Sequence, residues 1–165
     1  MKISDFNPNK QTPEFFHILH PVTGEPLKDE DGVEIGFYTY SDNSKKGSSS
    51  KSQMHTNILR RKYELVQSMG RPVTDQNSST AEVAEVAKWD EDNSETIKSA
   101  MLPIIQEEFV SHLARCCTGL QGSIETDSSD SPSILDVLNE NSWIADQLIS
   151  FRSELSNWVP KQPGS

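Results

Sequence analysis

Histidine and glutamate spacings are the first place to look for chemistry in this sequence. His17 and His20 are three residues apart in a segment that reads as a β-strand, so they point to opposite faces and cannot share one metal ion without a bend. Glu108 and His112 are one helical turn apart, which suits an acid–base pair, a metal pair or an ordinary side-chain pair. We expect ordinary structural roles for all four residues.

Recognisable catalytic sequence motifs are missing from the chain. The eight glycines are scattered singly, and no GxSxG, P-loop or GxGxxG motif occurs. The cysteines, Cys116 and Cys117, are adjacent, and the favoured interpretation is that both are small apolar side chains in a reduced helix. The sequence therefore predicts a protein that is not an enzyme and that carries no cofactor and no metal ion.

Composition limits the class of protein. The chain has 165 residues, with 15 basic and 25 acidic side chains and a formal net charge of −10. Leu, Ile, Val and Phe together make up 37 residues and Ser makes up 23, so a core is possible but cannot extend through the whole chain. This composition excludes a collagen-like or coiled-coil rod and a disulfide scaffold. Because the N-terminus lacks an apolar signal region and no stretch could span a bilayer, we expect a cytosolic location.

A small β unit is predicted near the N-terminus. Residues 15–20 and 33–40 are rich in aromatic and β-branched side chains, and a stretch dense in Pro, Gly and Asp separates them. Val33, Ile35 and Phe37 alternate along the second segment, which is typical of a half-buried strand. Because a two-stranded hairpin is marginal by itself, it must pack on another part of the chain.

The remainder of the chain reads as helices separated by polar loops. The predicted helices cover 50–68, 81–88, 94–118, 134–138 and 143–158. Pro103 predicts a kink or a later start within the third helix, and Gly119 is placed to end it. The fold class is therefore α+β and mostly α-helical. The predicted organisation is a β-hairpin unit (1–44), a basic helix (45–70), a linker (71–80), a C-terminal helical module (81–159) and a disordered tail (160–165).

Basic side chains are concentrated in one segment of this acidic chain. Residues 45–62 hold six of the 15 basic residues and no acid. Three interpretations stay open: a solvated helix face that balances the acidic remainder, a docking surface for an acidic protein, or a nucleic-acid contact. The nucleic-acid contact is the least favoured, because the chain is acidic overall and the segment lacks aromatic side chains for base stacking apart from Tyr63 beside it.

Aromatic side chains are concentrated near the C-terminus. The apolar side of the last predicted helix carries Trp143, Ile144, Gln147, Leu148, Phe151, Leu155 and Trp158. Core packing is the default explanation. The competing one is an exposed apolar face that captures a partner, since Trp and Phe anchors dominate interface energies.

Two segments resemble a known family. The strand–turn–strand segment FFHILHPVTGEPLKDEDG followed by VEIGFYTYSDNS, leading into a basic helix, is similar to the opening of tail assembly chaperones of long-tailed bacteriophages. The matching positions there are Leu19, His20, Pro21, Thr23, Gly24, Pro26, Leu27, Asp29, Asp31 and Gly32, with Ser41 or Ser44 before the helix. In the C-terminal half they are Leu113, Ala114, Thr118 and Gly119, then the segment VLNENSWIADQLISFRSELSNW.

The resemblance implies a non-enzymatic function. Such chaperones coat the tape measure protein and recruit tail tube subunits in the host cytoplasm, and tape measure proteins are long amphipathic helices. We expect partner contacts at Trp143, Ile144, Leu148 and Phe151, with Arg60, Arg61 and Lys62 as an electrostatic docking patch. The chain could also form a homo-oligomer, and we expect no membrane contact.

Two alternative functions stay open. The family commonly has Trp after the Thr-Gly pair, whereas this chain has Leu120. That difference allows a structural virion protein, such as a decoration, connector or tail component. A nucleic-acid-binding accessory protein is the second alternative.

Overall fold

Three short strands and four helices make up the computed structural model, which describes residues 12–154. Within that range the elements are β1 (Glu14–His17), β2 (Gly36–Thr39), α1 (Lys45–Ser68), α2 (Thr80–Arg115), β3 (Cys117–Gln121), α3 (Ile134–Glu140) and α4 (Ser142–Ser153). The predicted class, α+β and mostly α-helical, is confirmed. None of these helices has a stretch long and apolar enough to cross a membrane.

The predicted hairpin is part of a three-stranded antiparallel sheet with the order β1–β2–β3. Ile35 and Phe37 are buried as their alternation predicts, whereas Val33 is largely exposed beside the turn. Asp29 holds that turn closed, because its carboxylate accepts hydrogen bonds from the backbone N–H groups of Asp31 and Val33. The hairpin obtains its missing support from β3 and from the apolar faces of α3 and α4.

Strand β3 corrects the sequence analysis, which extends a helix to residue 118. The helix ends at Arg115, and Cys117 and Thr118 pair with Thr39 and Tyr38 of β2. Gly119 has a positive φ of 66°, but it lies inside the strand, where it does not end a helix. Residues 117 and 118 form a strand because they pair with β2, which is distant in the sequence.

Helix α1 begins at Lys45, where the predicted basic segment (45–70) starts and five residues before its helical pattern (50–68). Ser44 caps it, since the Ser44 hydroxyl accepts a hydrogen bond from the Gly47 N–H at 3.0 Å and donates to the Ser41 carbonyl at 2.7 Å. The stretch that reads as a Ser/Lys-rich link therefore forms the first turns of the helix. Gly70, with a φ of 81°, follows the end of the helix, in agreement with the predicted stop.

Helix α2 is continuous where two helices are expected. Ser79 and Glu82 form a reciprocal capping pair at its start, with Glu82 accepting from the Ser79 N–H at 2.6 Å. Asn93 lies between the two predicted helices and donates from its side chain to the Trp89 carbonyl at 2.8 Å. Pro103 lies in the interior of α2.

The C-terminal helices lie near their predicted positions. Helix α3 starts from a capping box in which Ser133 and Asp136 bond each other's backbone N–H groups. Helix α4 ends at Ser153, five residues before the predicted end. Leu155, Trp158 and the predicted tail lie outside the described residues.

The described chain divides into two compact units, and this division differs from the predicted one. Residues 12–53 and 110–154 form a discontinuous unit, and Met54–Phe109 form a helical unit. The core of the discontinuous unit combines Phe16, Ile18, Ile35 and Phe37 from the hairpin with Leu113, Val137, Leu138, Ile144 and Leu148 from the helices. Each of the long helices α1 and α2 contributes to both units.

Candidate functional site

A buried polar network surrounds His112 in the discontinuous unit. The side chain of His112 is only 3% exposed, and its Nε2 lies 3.5 Å from Oδ1 of Asp42. Its Nδ1 lies 2.9 Å from the Ser50 hydroxyl and 3.8 Å from Sγ of Cys116. Arg152 from α4 completes this His112 network with an ion pair to Asp42. The network therefore joins the loop before α1, both long helices and α4.

Ser50 links His112 to Arg115. The Ser50 hydroxyl donates to the His112 carbonyl at 3.3 Å and accepts from Nε of Arg115 at 3.1 Å. Either atom can be the donor in its 2.9 Å contact with Nδ1 of His112, depending on which ring nitrogens carry protons. A histidine that donates from Nδ1 to Ser50 and from Nε2 to Asp42 is the positively charged form.

The pKa shifts favour this charged form. Burial disfavours a charged imidazole, but the hydrogen bonds that it donates to Asp42 and Cys116 outweigh burial and raise the pKa of His112 to about 9. The hydrogen bond with His112 is the largest influence on Asp42, and the pKa of that carboxyl falls well below its usual value. Burial alone would raise the pKa of Cys116, yet the neighbouring His112 and Arg152 lower it.

The pKa values of the two adjacent cysteines are shifted in opposite directions. Burial raises the pKa of Cys117 to about 12, and its Sγ lies 3.1 Å from the Leu113 carbonyl. The structure shows both thiols free and buried, as the sequence analysis expects, but they follow the end of α2 and Cys117 belongs to β3.

The network has the side chains of a nucleophilic triad without the corresponding proton arrangement. A serine or cysteine nucleophile needs a neutral histidine that can accept its proton. The raised pKa of His112, about 9, favours the charged form, which cannot accept that proton. In that form His112, Asp42 and Arg152 form an ion network.

The same side chains include a metal-type donor set. Asp42, His112 and Cys116 each offer a ligand atom, and these atoms lie within 4.8 Å of one another. Such O, N and S donors suit Zn²⁺. The guanidinium of Arg152, however, already bonds Asp42 and influences Cys116 as the local cation, so a metal ion would have to displace it.

The other residues considered for chemistry have separate structural partners. His17 lies 2.9 Å from Glu34, and Nδ1 of His20 accepts hydrogen bonds from two backbone N–H groups of the following turn. Glu108 bonds Asn57 at 3.0 Å and Arg61 at 3.3 Å. Each of these three residues thus has a local partner.

An apolar groove between α1 and α2 is the most distinctive surface of the helical unit. Its volume is about 860 Å³, and its lining comprises Ile58, Leu59, Lys62, Tyr63, Val66, Arg71, Asp90, Ser94, Ile97, Lys98, Met101, Leu102 and Ile105. Large apolar side chains remain exposed in it, with Leu59 at 68%, Tyr63 at 65% and Leu102 at 63%. This α1–α2 groove is the kind of surface that captures a partner.

Charges at the rim of the α1–α2 groove are predominantly positive. The lining contains Lys62, Arg71 and Lys98 but, of the residues described, only Asp90 as an acid. Arg71 pairs with Asp90 through two hydrogen bonds of 2.7 Å, and Lys98 makes a long 3.8 Å contact with exposed Glu95. The rim therefore attracts acidic groups, although the whole chain is acidic.

The predicted basic patch is partly neutralised within the helical unit. Arg60 pairs with Glu64 at 2.8 Å, and Arg61 pairs with Glu107 at 2.9 Å and with Glu108. Lys62 lines the α1–α2 groove. The patch thus divides, with its two arginines in ion pairs and its lysine at the groove.

The predicted apolar contacts on α4 need a correction. Ile144 is 1% exposed and Leu148 is fully buried, so neither side chain can reach a partner in this structure. Trp143 and Phe151 are half-buried against the same core, and Phe151 packs on the ring of Phe16. Contact through the exposed parts of Trp143 and Phe151 stays a prediction.

The α1–α2 groove is not among the surfaces predicted from the sequence. Met54, Ile58 and Leu65 define one apolar stripe on α1, whereas Leu59, Tyr63 and Val66 form a second stripe at i, i+4 and i+7. The second stripe is the sequence pattern that could have predicted the groove.

Comparison with known proteins adds no assignment, because no family model, curated protein or solved structure matches this chain.

Proposed function

We propose that this protein is a tail assembly chaperone of a long-tailed bacteriophage, which binds the tape measure and tail tube proteins in the host cytoplasm. The resemblance of its hairpin and C-terminal segments to that family suggests the identity of the partners. The α1–α2 groove carries the binding mechanism. It offers an apolar surface to another polypeptide, and no bond is made or broken.

An amphipathic helix is the partner segment that best fits the groove. The lining on α2 extends from Asp90 to Ile105, and at 1.5 Å per residue this span is about 22 Å, or about four helical turns. Exposed Leu59 and Tyr63, one turn apart on α1, and exposed Leu102 on α2 provide apolar anchors. A tape measure helix would cover these side chains with its apolar face.

Charge at the groove rim favours a partner helix whose acidic side chains face the lysines of the rim. Lys62 and Lys98 border the apolar lining. Acidic residues beside the apolar stripe of the tape measure helix would therefore lie next to these lysines. Such pairs at an exposed rim favour encounter and register more than they increase affinity.

Capture of purified tape measure and tail tube proteins tests the proposal. Leu102→Asp places a carboxylate in the groove, and we expect tape measure capture to fall at least tenfold, or by about 1.4 kcal/mol, because one apolar anchor is lost. Val83→Asp is the matched control, since Val83 is 53% exposed on the same helix but does not line the groove. Its capture should change less than about twofold.

Equal capture by wild type and Leu102→Asp would refute the groove as the binding surface, provided that circular dichroism shows both proteins folded. Mass spectrometry of purified phage particles tests the biological function separately. A chaperone should be absent from the finished particle. High copy number there would instead favour the structural virion alternative.

A further inference from the structure

A second pocket lies in the discontinuous unit, between the first turns of α1 and the last turn of α2. Its volume is about 580 Å³, and its lining comprises Tyr40, Lys45, Lys46, Ser49, Ser50, Gln53 and Arg115. The exposed apolar anchors of the α1–α2 groove are lacking here. The lining residues are three cations, two serines, one glutamine and one tyrosine.

Positive charge accumulates at this cationic pocket. Lys45, Lys46 and Arg115 line it, and among the described residues no acidic side chain does. The side chain of His112 lies behind the wall, with its Nδ1 2.9 Å from the Ser50 hydroxyl. The nearby carboxylate of Asp42 is already engaged by Arg152 and His112. An incoming anion would therefore meet excess positive charge.

Arg115 is held in place before any ligand arrives. Its Nε donates to the Ser50 hydroxyl at 3.1 Å, and one terminal nitrogen donates to the Ser50 carbonyl at 3.5 Å. Ser50 is in turn fixed by His112. Because the guanidinium is already ordered, binding an anion there costs less side-chain entropy than binding at a mobile surface arginine.

Lys46 is also oriented toward the pocket wall. Its ammonium nitrogen lies 5.1 Å from the centre of the Tyr40 ring, a cation–π distance. Tyr40 is thus covered by a cation, which makes its ring a poor platform for base stacking. Ser49 and Gln53 add neutral hydrogen-bonding groups beside the cations.

We propose that the cationic pocket binds side-chain carboxylates of an acidic peptide segment in a partner protein. The terminal N–H groups of Arg115 that do not bond Ser50 can donate to a planar carboxylate, while Lys45 and Lys46 supply neighbouring charges. The inference does not rest on the proposed function, because the pocket and the α1–α2 groove are built from different residues. It assigns the two ends of the basic segment different roles: lysines near its start bind a partner, whereas Arg60 and Arg61 pair internally.

Fluorescence anisotropy with a labelled hexaglutamate peptide tests the proposal on the full-length protein. At low ionic strength the wild type should bind the peptide, and added salt should weaken binding because the pocket is open to solvent. Lys46→Gln should weaken binding about threefold and Arg115→Gln about tenfold. Lys51→Gln is the matched control, since this exposed lysine lies on α1 outside the pocket, and it should have little effect.

The named outcomes either support or overturn the proposal. Absence of peptide binding to wild type overturns it, and so does an equal loss with Lys46→Gln and Lys51→Gln. Tighter binding of a six-nucleotide thymidine strand than of hexaglutamate would assign the pocket to nucleic acid and also overturn the proposal. Because Lys46 is exposed, its variant remains informative even if Arg115→Gln does not fold.

Failure of this proposal is distinguishable from failure of the chaperone function. Leu102→Asp should retain full peptide binding, since Leu102 lies in the other unit. Lost tape measure capture with intact peptide binding would localise the defect to the groove. Intact tape measure capture without peptide binding would refute the cationic pocket alone.

Discussion

Protonation of His112 predicts a specific dependence of stability on pH. The pKa of His112 rises from 6.5 to about 9 on folding, because its hydrogen bonds to Asp42 and Cys116 outweigh burial. A raised pKa gives stabilisation that is complete below pH 6.5 and is lost as pH increases through 9. At 1.36 kcal/mol per pKa unit, the free energy of unfolding should fall by about 3 kcal/mol across that range.

The acid side has the opposite sign. Folding lowers the pKa of Asp42 from 3.8, chiefly through its hydrogen bond with His112. Stability from this carboxylate is therefore present above about pH 4 and is lost as the solution becomes more acidic. His112 and Asp42 by themselves place maximum stability between about pH 4 and 6.5. The lowered pKa of Cys116 acts against the His112 effect, since its contribution to stability grows as pH rises toward 9.0.

Urea unfolding at pH 6 and pH 9.5 measures the effect, with Asp42→Asn as the comparison variant. This change removes the carboxylate from both His112 and Arg152, so the variant should be less stable at pH 6. Without its anionic partner, buried His112 should titrate near or below its ordinary pKa. The decrease in stability between pH 6.5 and 9 should then disappear.

Two results would refute this reasoning. The first is a wild-type unfolding free energy that does not change between pH 6 and pH 9.5. The second is an equal decrease in wild type and Asp42→Asn, which would assign the dependence to other groups. Direct NMR titration of the His112 ring provides an independent reading of its pKa.

Two further predictions concern packing. Leu148→Ala should reduce the free energy of unfolding by about 2–5 kcal/mol because Leu148 is fully buried, whereas Ile149→Ala at the adjacent, partly exposed position should cost far less; comparable urea midpoints would contradict the core assignment. Gly47→Ala should destabilise the protein by about 1–3 kcal/mol even though alanine favours helix, since its Cβ would overlap the Ser41 carbonyl oxygen. Ser49→Ala, at an exposed position two residues further along the same helix, is the control. A stabilised Gly47→Ala variant in thermal unfolding would show that helix propensity outweighs the overlap.

Local sequence signals identified much of the secondary structure. The alternation at Ile35 and Phe37 and the end of the first long helix at residue 68 depend on residues close in the chain. Their physical causes are side-chain periodicity and the satisfaction of nearby backbone groups, so sequence alone could predict them. The same reasoning gave structural roles to His17 and His20, both of which have local partners.

Other features depended on contacts between distant residues. Cys117 and Thr118 resemble a helix end by sequence, but pairing with β2 makes them a strand. Ile144 and Leu148 resemble an exposed binding stripe equally well, and only their packing against the hairpin shows them to be core. Hydrophobic periodicity gives the direction of an apolar face, but it does not say whether that face meets the same chain or another protein.

Composition and short-range spacing are enough to specify the mostly helical class, the hairpin and the basic segment 45–62. Contacts between distant residues set which charges are available. They pair Arg61 with Glu107, bring Arg115 beside Lys46 at one pocket, and enclose His112 with Asp42. Those outcomes arise from distance and burial, which set the strength of every charge interaction and which one-dimensional order does not contain.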